Sequence, residues 1–105
     1  MKLINIVNAR YALQKLIAQD LPLRTAYALV NLVEKCNRHL SFFSQMRQTL
    51  GAEPDEDKLR ELENFEVEDL DASAPVEVKA AENLRLSASD IKVLEPFVRF
   101  VFEEV

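Results

Sequence analysis

The stretch from Pro22 to Gly51, PLRTAYALVNLVEKCNRHLSFFSQMRQTLG, decides the fold. Between its end residues it contains no glycine and no proline, so nothing interrupts a single helix over about 22–50. Apolar side chains recur in it at alternating spacings of three and four, the repeat that keeps one seam of a helix against a partner helix. The seam is formed by Ala26, Leu29, Val33, Cys36, Leu40 and Phe43, with Leu50 in phase after them.

This second helix also predicts the shape of the molecule. Gly51 follows it at the position where a left-handed C-cap is expected. About 29 residues, each rising 1.5 Å, give a length of roughly 43 Å. A compact globule of about this chain length has a radius of gyration of only about 13 Å. We therefore expect an elongated molecule.

A shorter helix is predicted over 3–19, ahead of the long one. Apolar residues spaced three and four apart line one of its faces, and Pro22 fits the first turn of the helix that follows. The two helices predict an antiparallel helical hairpin over 1–51. Its first helix is too short to cover the far end of the seam, which the acidic half of the chain or a second subunit must then cover. The candidate protein-interaction residues are Val33, Cys36, Leu40, Phe43, Met46 and Leu50.

The middle of the chain, 52–74, reads as an acidic connector followed by a weak helix. Leucines and Phe65 favour a helix over about 56–71. A strand at Phe65–Leu70 is the alternative, because apolar and acidic residues alternate in part of it.

The last part, 75–105, reads as a strand, a short capped helix and a terminal segment. Val76–Ala80 alternates apolar and charged residues, as a half-buried strand does. Ser87 and Asp90 resemble a capping box at the start of a helix that Pro96 ends near Leu94. Residues 97–103 fit either a closing strand or a final helical turn. The whole predicts one domain, 1–105, of mainly α (α+β) class.

Charge divides the chain into unlike halves. Residues 1–50 carry seven basic and two acidic side chains, a net charge of +5, while residues 51–105 carry six basic and sixteen acidic ones, a net charge of −10. The bases are dispersed along the helices and the sequence pI is about 4.9, unlike the dense basic patches of nucleic-acid modules. We expect no specific nucleic-acid binding, and we expect the two halves to attract each other, either within one chain or between subunits.

Composition narrows the class of protein further. One cysteine excludes an internal disulfide and a CxxC site. No apolar run approaches the roughly 18 residues of a membrane span, and polar residues interrupt the N-terminal apolar segment, so no signal peptide is predicted. We expect a cytoplasmic protein that does not bind membranes.

Candidate chemical groups are few. Cys36 lies on the apolar seam, where cysteines act as small hydrophobes, and His39 has no sequence motif that supplies a partner or a pocket. The acids between Glu53 and Asp57 lack the spacing and the central glycine of a calcium loop. Phosphate-binding loops, nucleophile elbows and HExxH motifs are absent. These observations predict a noncatalytic protein with no cofactor, no metal and no small-molecule substrate.

Two segments, residues 21–29 (LPLRTAYAL) and residues 86–98 (LSASDIKVLEPFV), resemble those of a family of small phage- and prophage-encoded proteins of unknown function. The first resembles that family's LPxKTAYKL segment, and the second resembles its closing LSxxDLxxLEPF segment. The resemblance covers nearly the whole chain in order, but the middle departs from it, because Gly51 and a short acidic connector replace a glycine-containing hairpin. It implies a phage origin and a bacterial host cell, and it implies no catalytic residues.

Two functions are compatible with these features. The first is a noncatalytic phage or prophage interaction protein that forms a homo-oligomer with itself or binds other proteins, as a virion-assembly chaperone or a small structural component. The second is an acidic inhibitor or modulator of a host protein, such as one that handles nucleic acids.

Overall fold

The computed structural model describes residues 1–70, 74–80 and 84–102. The fold is mainly α (α+β), which confirms the class predicted from the sequence. In chain order the elements are α1 (Leu3–Ile17), α2 (Leu23–Leu50), α3 (Glu56–Glu63), β1 (Val76–Ala80), α4 (Ala88–Leu94) and β2 (Val98–Phe102).

Helix α1 lies at the centre of the fold. It packs against α2, α3 and α4, and apolar residues on several sides of it are buried, because it has neighbours on several sides. With α2 it forms the predicted hairpin, in which α2 contributes three buried residues. The buried residues of α1 are Leu3, Ile6, Val7, Ala9, Ala12, Leu13 and Leu16.

Helix α2 is a single uninterrupted helix of 28 residues, as its sequence predicts. It makes the molecule elongated, with extents of 52 × 24 × 22 Å and a radius of gyration of 15.2 Å. Gly51 has a φ of +83°, which L-residues rarely adopt, but its ψ of −172° places it in an extended conformation. The predicted left-handed C-cap is therefore wrong, because the ψ of Gly51 does not have a left-handed helical value. After α2 the chain continues in an extended conformation into the acidic connector.

The helix predicted over 56–71 is wrong beyond Glu63, and residue 71 lies outside the described residues. The chain stops being helical at Asn64, whose side-chain amide and backbone N–H both donate to the Arg60 carbonyl. The next residues are extended and pair with the start of α1: the Leu3 N–H donates to the Phe65 carbonyl at 2.8 Å. The alternative prediction, a strand at Phe65–Leu70, is also wrong in extent. The structure has a single antiparallel bridge there, between Glu66 and Lys2. The free N–H groups at the start of α1 take a carbonyl of this segment as their hydrogen-bond partner. This long-range pairing determines the conformation of the segment, although the local spacing of its apolar residues favours a helix.

The predicted strand Val76–Ala80 is confirmed, and the closing segment is a strand rather than a helical turn. β1 and β2 form a two-stranded parallel sheet in which Val76 pairs with Val98 and Val78 with Phe100. Helix α4 lies in the connection between them, as parallel pairing requires a crossover. Glu77 and Arg99, of opposite charge, are directly opposite each other. Residue 103 of the predicted segment lies outside the described residues.

The predicted capping box of α4 is confirmed at both of its hydrogen bonds. The Asp90 N–H donates to the Ser87 hydroxyl at 3.1 Å, and the Ser87 N–H donates to the Asp90 carboxylate at 3.0 Å. The latter bond is the main reason that the pKa of Asp90 is lowered, and Lys15 adds to it from α1. Helix α4 ends at Leu94, two residues before Pro96, as predicted.

Ion pairs join the basic first half of the chain to the acidic second half. Lys15 on α1 contacts Asp90 on α4 at 3.1 Å, and Arg38 on α2 contacts Asp69 at 3.6 Å. The acidic half therefore folds back onto the hairpin within one chain, and these pairs help to orient it.

Candidate functional site

The predicted interaction residues lie in two different environments. Val33 and Cys36 are buried in the core. Leu40, Phe43 and Leu50 are half-buried and pack against the core from outside, and Met46 is 37% exposed. Only the distal part of the seam, beyond the reach of α1, is thus available to a partner.

A groove lies between the distal part of α2 and α3. Phe42, Met46 and Leu50 form its α2 wall, and Leu62 and Phe65 form the opposite wall. The rings of Phe42 and Phe65 are in contact, with centroids 5.6 Å apart and planes tilted by 45°. We call this the distal groove.

The distal groove is open, apolar inside and charged at its rim. Its volume is about 330 Å³. Exposed Lys58 and Glu61, both on α3, border it with one charge of each sign. The far end of the seam was expected to need a cover from the acidic half of the chain or from a second subunit, but α3 was not predicted as the second wall of a groove there. The sequence does indicate this second wall. Glu61, Leu62 and Phe65 follow Lys58 by three, four and seven residues, a spacing that places all four on one face of a helix.

A second apolar surface lies near the other end of α2. Leu23, Tyr27 and Val30 are 86%, 71% and 44% exposed, and their spacing of four and three places them on one face of the helix. We call these three residues the α2 stripe. The α2 stripe was not predicted from the sequence, because it lies about 130° around the helix from Leu29, off the apolar seam.

His39 and Cys36 lie one turn apart on α2, beside the segment that follows α3. The His39 ring nitrogen Nε2 and the Asp69 carboxylate are 2.6 Å apart. This hydrogen bond is the main cause that lowers the pKa of Asp69. Burial, and then the negative charge of Asp69, raise the pKa of the Cys36 thiol to about 11. The thiol is thus protonated and enclosed at neutral pH, which favours a packing role over a nucleophilic one.

The same side of α2 borders a second cavity of about 270 Å³. Its lining includes the polar or charged residues Asn31, Lys35 and Asp69 and apolar residues such as Leu32 and Phe97. In residues 1–70, 74–80 and 84–102, no three His, Cys, Asp or Glu side chains converge in a way that would hold a metal ion. Within the same residues, every helix is too short or too polar to cross a membrane.

The chain matches no protein-family model, no curated protein and no solved structure. The resemblance of residues 21–29 and 86–98 to phage-encoded proteins therefore stays a prediction from the sequence. What can be said of the site rests on its own geometry, which offers two exposed apolar surfaces on one long helix.

Proposed function

We propose that the chain is a noncatalytic interaction protein of phage or prophage origin, which acts in the bacterial host cell as a virion-assembly chaperone or a small structural component. The observation that carries this proposal is the distal groove, with the exposed aromatic pair of Phe42 and Phe65. Isolated apolar residues are common on soluble proteins, whereas contiguous apolar patches mark binding surfaces. The protein acts by binding other proteins, including further copies of itself.

The shape of the molecule supports this role. The distal groove and the α2 stripe lie towards opposite ends of a helix about 42 Å long, in a body whose longest extent is 52 Å. A body with an apolar surface towards each end can hold two partners at once. An assembly chaperone or a small structural component that joins two neighbours would use both surfaces.

The chemistry of the two candidate catalytic side chains is consistent with a binding role. Cys36 is enclosed with a raised pKa, and His39 is paired with Asp69 on the outside of α2. Neither side chain faces the distal groove, whose lining offers packing surface with only Lys58 and Glu61 as charged groups.

A second candidate function is an acidic inhibitor of a host protein that handles nucleic acids. The acids Glu53, Asp55, Glu56 and Asp57 are all exposed around the start of α3. Closely spaced exposed carboxylates can bind the basic groove of such a protein by charge complementarity.

Co-purification from a bacterial host distinguishes the two functions. The tagged chain is expressed together with each head and tail protein encoded near its gene, and separately in host cells without phage proteins. The first function predicts a complex with a head or tail protein that survives about 0.5 M salt, because apolar burial is screened little by ions. A Met46→Asp variant should lose it, and Gln48→Asp, an equal charge change at an exposed position outside the groove, should keep it.

The second function predicts a different result from the same experiment. Only a nucleic-acid-binding host enzyme is captured, it is released by moderate salt, and replacing the four acids by their amides abolishes capture. Capture of neither class of protein by the folded chain would overturn both functions.

A further inference from the structure

We propose that the distal groove of one copy binds the α2 stripe of a second copy, so that the chain associates head to tail. This rests on the proposed function, for which it names one partner surface. The groove, lined by Phe42, Met46, Leu50, Leu62 and Phe65, is concave and open, and within the described residues no element of the chain fills it. Its volume of about 330 Å³ is enough to receive side chains from a helix.

The α2 stripe has the complementary shape. Its three side chains project from a regular helix, on a face turned away from buried Leu29. Helices pack by fitting a ridge of side chains spaced three and four apart into a groove of the neighbour. Leu23, Tyr27 and Val30 form such a ridge, whereas two grooves placed face to face would leave a void between them.

Charges at the edges of the two surfaces also match. Exposed Arg24 lies beside Leu23 at one end of the stripe, about a quarter turn away around the helix, and exposed Glu34 lies one turn beyond Val30 at the other end. The groove is bordered by Lys58 and Glu61. Arg24 and Glu34 are about 15 Å apart along α2, whereas Lys58 and Glu61 are about 4.5 Å apart along α3. In one orientation of the bound helix, the long side chains of Arg24 and Lys58 extend towards Glu61 and Glu34 of the other copy. The reversed orientation would place like charges together, so these side chains select the direction of docking.

The positions of the two surfaces determine the type of assembly. With 3.6 residues per turn, the centre of the stripe and Met46 point to sides of α2 about 130° apart. The contact joins unlike surfaces, so a bound pair still has one free groove and one free stripe. Such contacts continue into a chain of copies or close into a ring.

The size of the contact predicts its strength. The stripe covers about two turns of α2, and the groove is formed by a handful of side chains. This is small beside the roughly 1,200–2,000 Å² of a stable interface, so the association belongs to the weak, transient class. It should be measured over about 5–500 µM protein, a range that covers the dissociation constants of such contacts.

The test uses one substitution in each surface and measures mass by sedimentation equilibrium. The unmodified chain should show a weight-average mass that rises beyond the dimer with concentration. Tyr27→Asp and Met46→Asp should each remain monomeric. Gln48→Asp, with the same charge change outside both surfaces, should behave like the unmodified chain.

The decisive sample is an equimolar mixture of the two variants. Tyr27→Asp keeps an intact groove and Met46→Asp keeps an intact stripe, so the mixture should form a dimer and nothing larger. Circular dichroism and a thermal melt show whether each variant is folded. If Met46→Asp does not fold, Met46→Ala is the milder groove variant that replaces it.

Three results would overturn the proposal: an unmodified chain that stays monomeric, association that survives Tyr27→Asp, or a mixture that remains monomeric. None of them would affect the complex with a head or tail protein that tests the proposed function. Loss of that complex with head-to-tail association intact would reject the proposed function alone.

Discussion

Truncating Leu29 to alanine tests whether α2 packs on α1 as described. Leu29 is fully buried in the core cluster, on the face of α2 that meets α1. Leucine-to-alanine changes in protein cores cost about 3–5 kcal/mol, because they remove apolar contact and leave a cavity. A domain of about this size has a free energy of unfolding of about 5–15 kcal/mol. Leu29→Ala should therefore remove a large share of the stability and lower the Tm by about 12 °C or more.

Leu23→Ala is the matched control for this change. It removes the same atoms from the same helix, but Leu23 is the most exposed large apolar residue of the described chain. Surface substitutions away from special features change stability by less than about 0.5 kcal/mol. The difference between the two variants thus isolates burial from helix propensity.

Urea unfolding followed by circular dichroism at about 1 µM protein measures both variants well below the range of self-association. Midpoints are compared at equal slope, because a changed slope would signal a change in the unfolded ensemble. A cost below about 1 kcal/mol for Leu29→Ala, or equal costs for both variants, would refute the packing of α2 on α1.

Three further predictions follow from individual contacts. Cys36, with its pKa of about 11 against an ordinary 9.0, should react with a thiol reagent at pH 8 at least about one hundredfold more slowly in the folded chain than in urea; similar rates would contradict its burial. Ser87→Ala should cost about 1 kcal/mol of stability, and Ser89→Ala, in the first turn of the same helix, less than about 0.5 kcal/mol; equal losses in urea melts would contradict the cap. The hydrogen bond from His39 lowers the pKa of Asp69, so this pair stabilises the fold at pH values above the ordinary pKa of 3.8. The stabilisation is lost as the pH falls through the pKa of Asp69 in the folded chain. Asp69→Asn should therefore cost less than about 1 kcal/mol at pH 6 and nothing once Asp69 is protonated in acid, whereas a cost that persists to about pH 2 would disagree.

Helices α2 and α4 could be predicted from sequence, because their signals are local. The three-four repeat through Leu29 and Val33 and the absence of glycine and proline were enough for α2. Ser87 and Asp90 were enough for the start of α4, since a capping box involves only residues three apart. Both elements would be recognisable in any context.

The segment after α3 could not be predicted, because its conformation depends on residues far away in sequence. Phe65 and Glu66 are extended because they pair with Lys2 and Leu3. The parallel pairing of β1 and β2 is likewise absent from either strand's own pattern, which predicts burial on one face and no strand direction.

The candidate site could be predicted only in part, because it depends both on local helical spacing and on contacts between distant segments. The seam marks which residues of α2 are apolar on one face, but the length of α1 decides which of them are covered. Cys36 is buried in the core, whereas Met46 is 37% exposed. The groove needed α3 as its second wall, and the α2 stripe became visible only when Tyr27 was found exposed.

Sedimentation velocity of the unmodified chain tests the central claim, self-association through exposed apolar surface, most directly. The account predicts a sedimentation coefficient that rises steadily with concentration over about 5–500 µM and falls only slightly at high salt, because apolar contact supplies most of the attraction. A coefficient that stays at the value of a single elongated monomer of 52 × 24 × 22 Å throughout would contradict it. Complete dissociation at moderate salt would also contradict it, by assigning the attraction to charge.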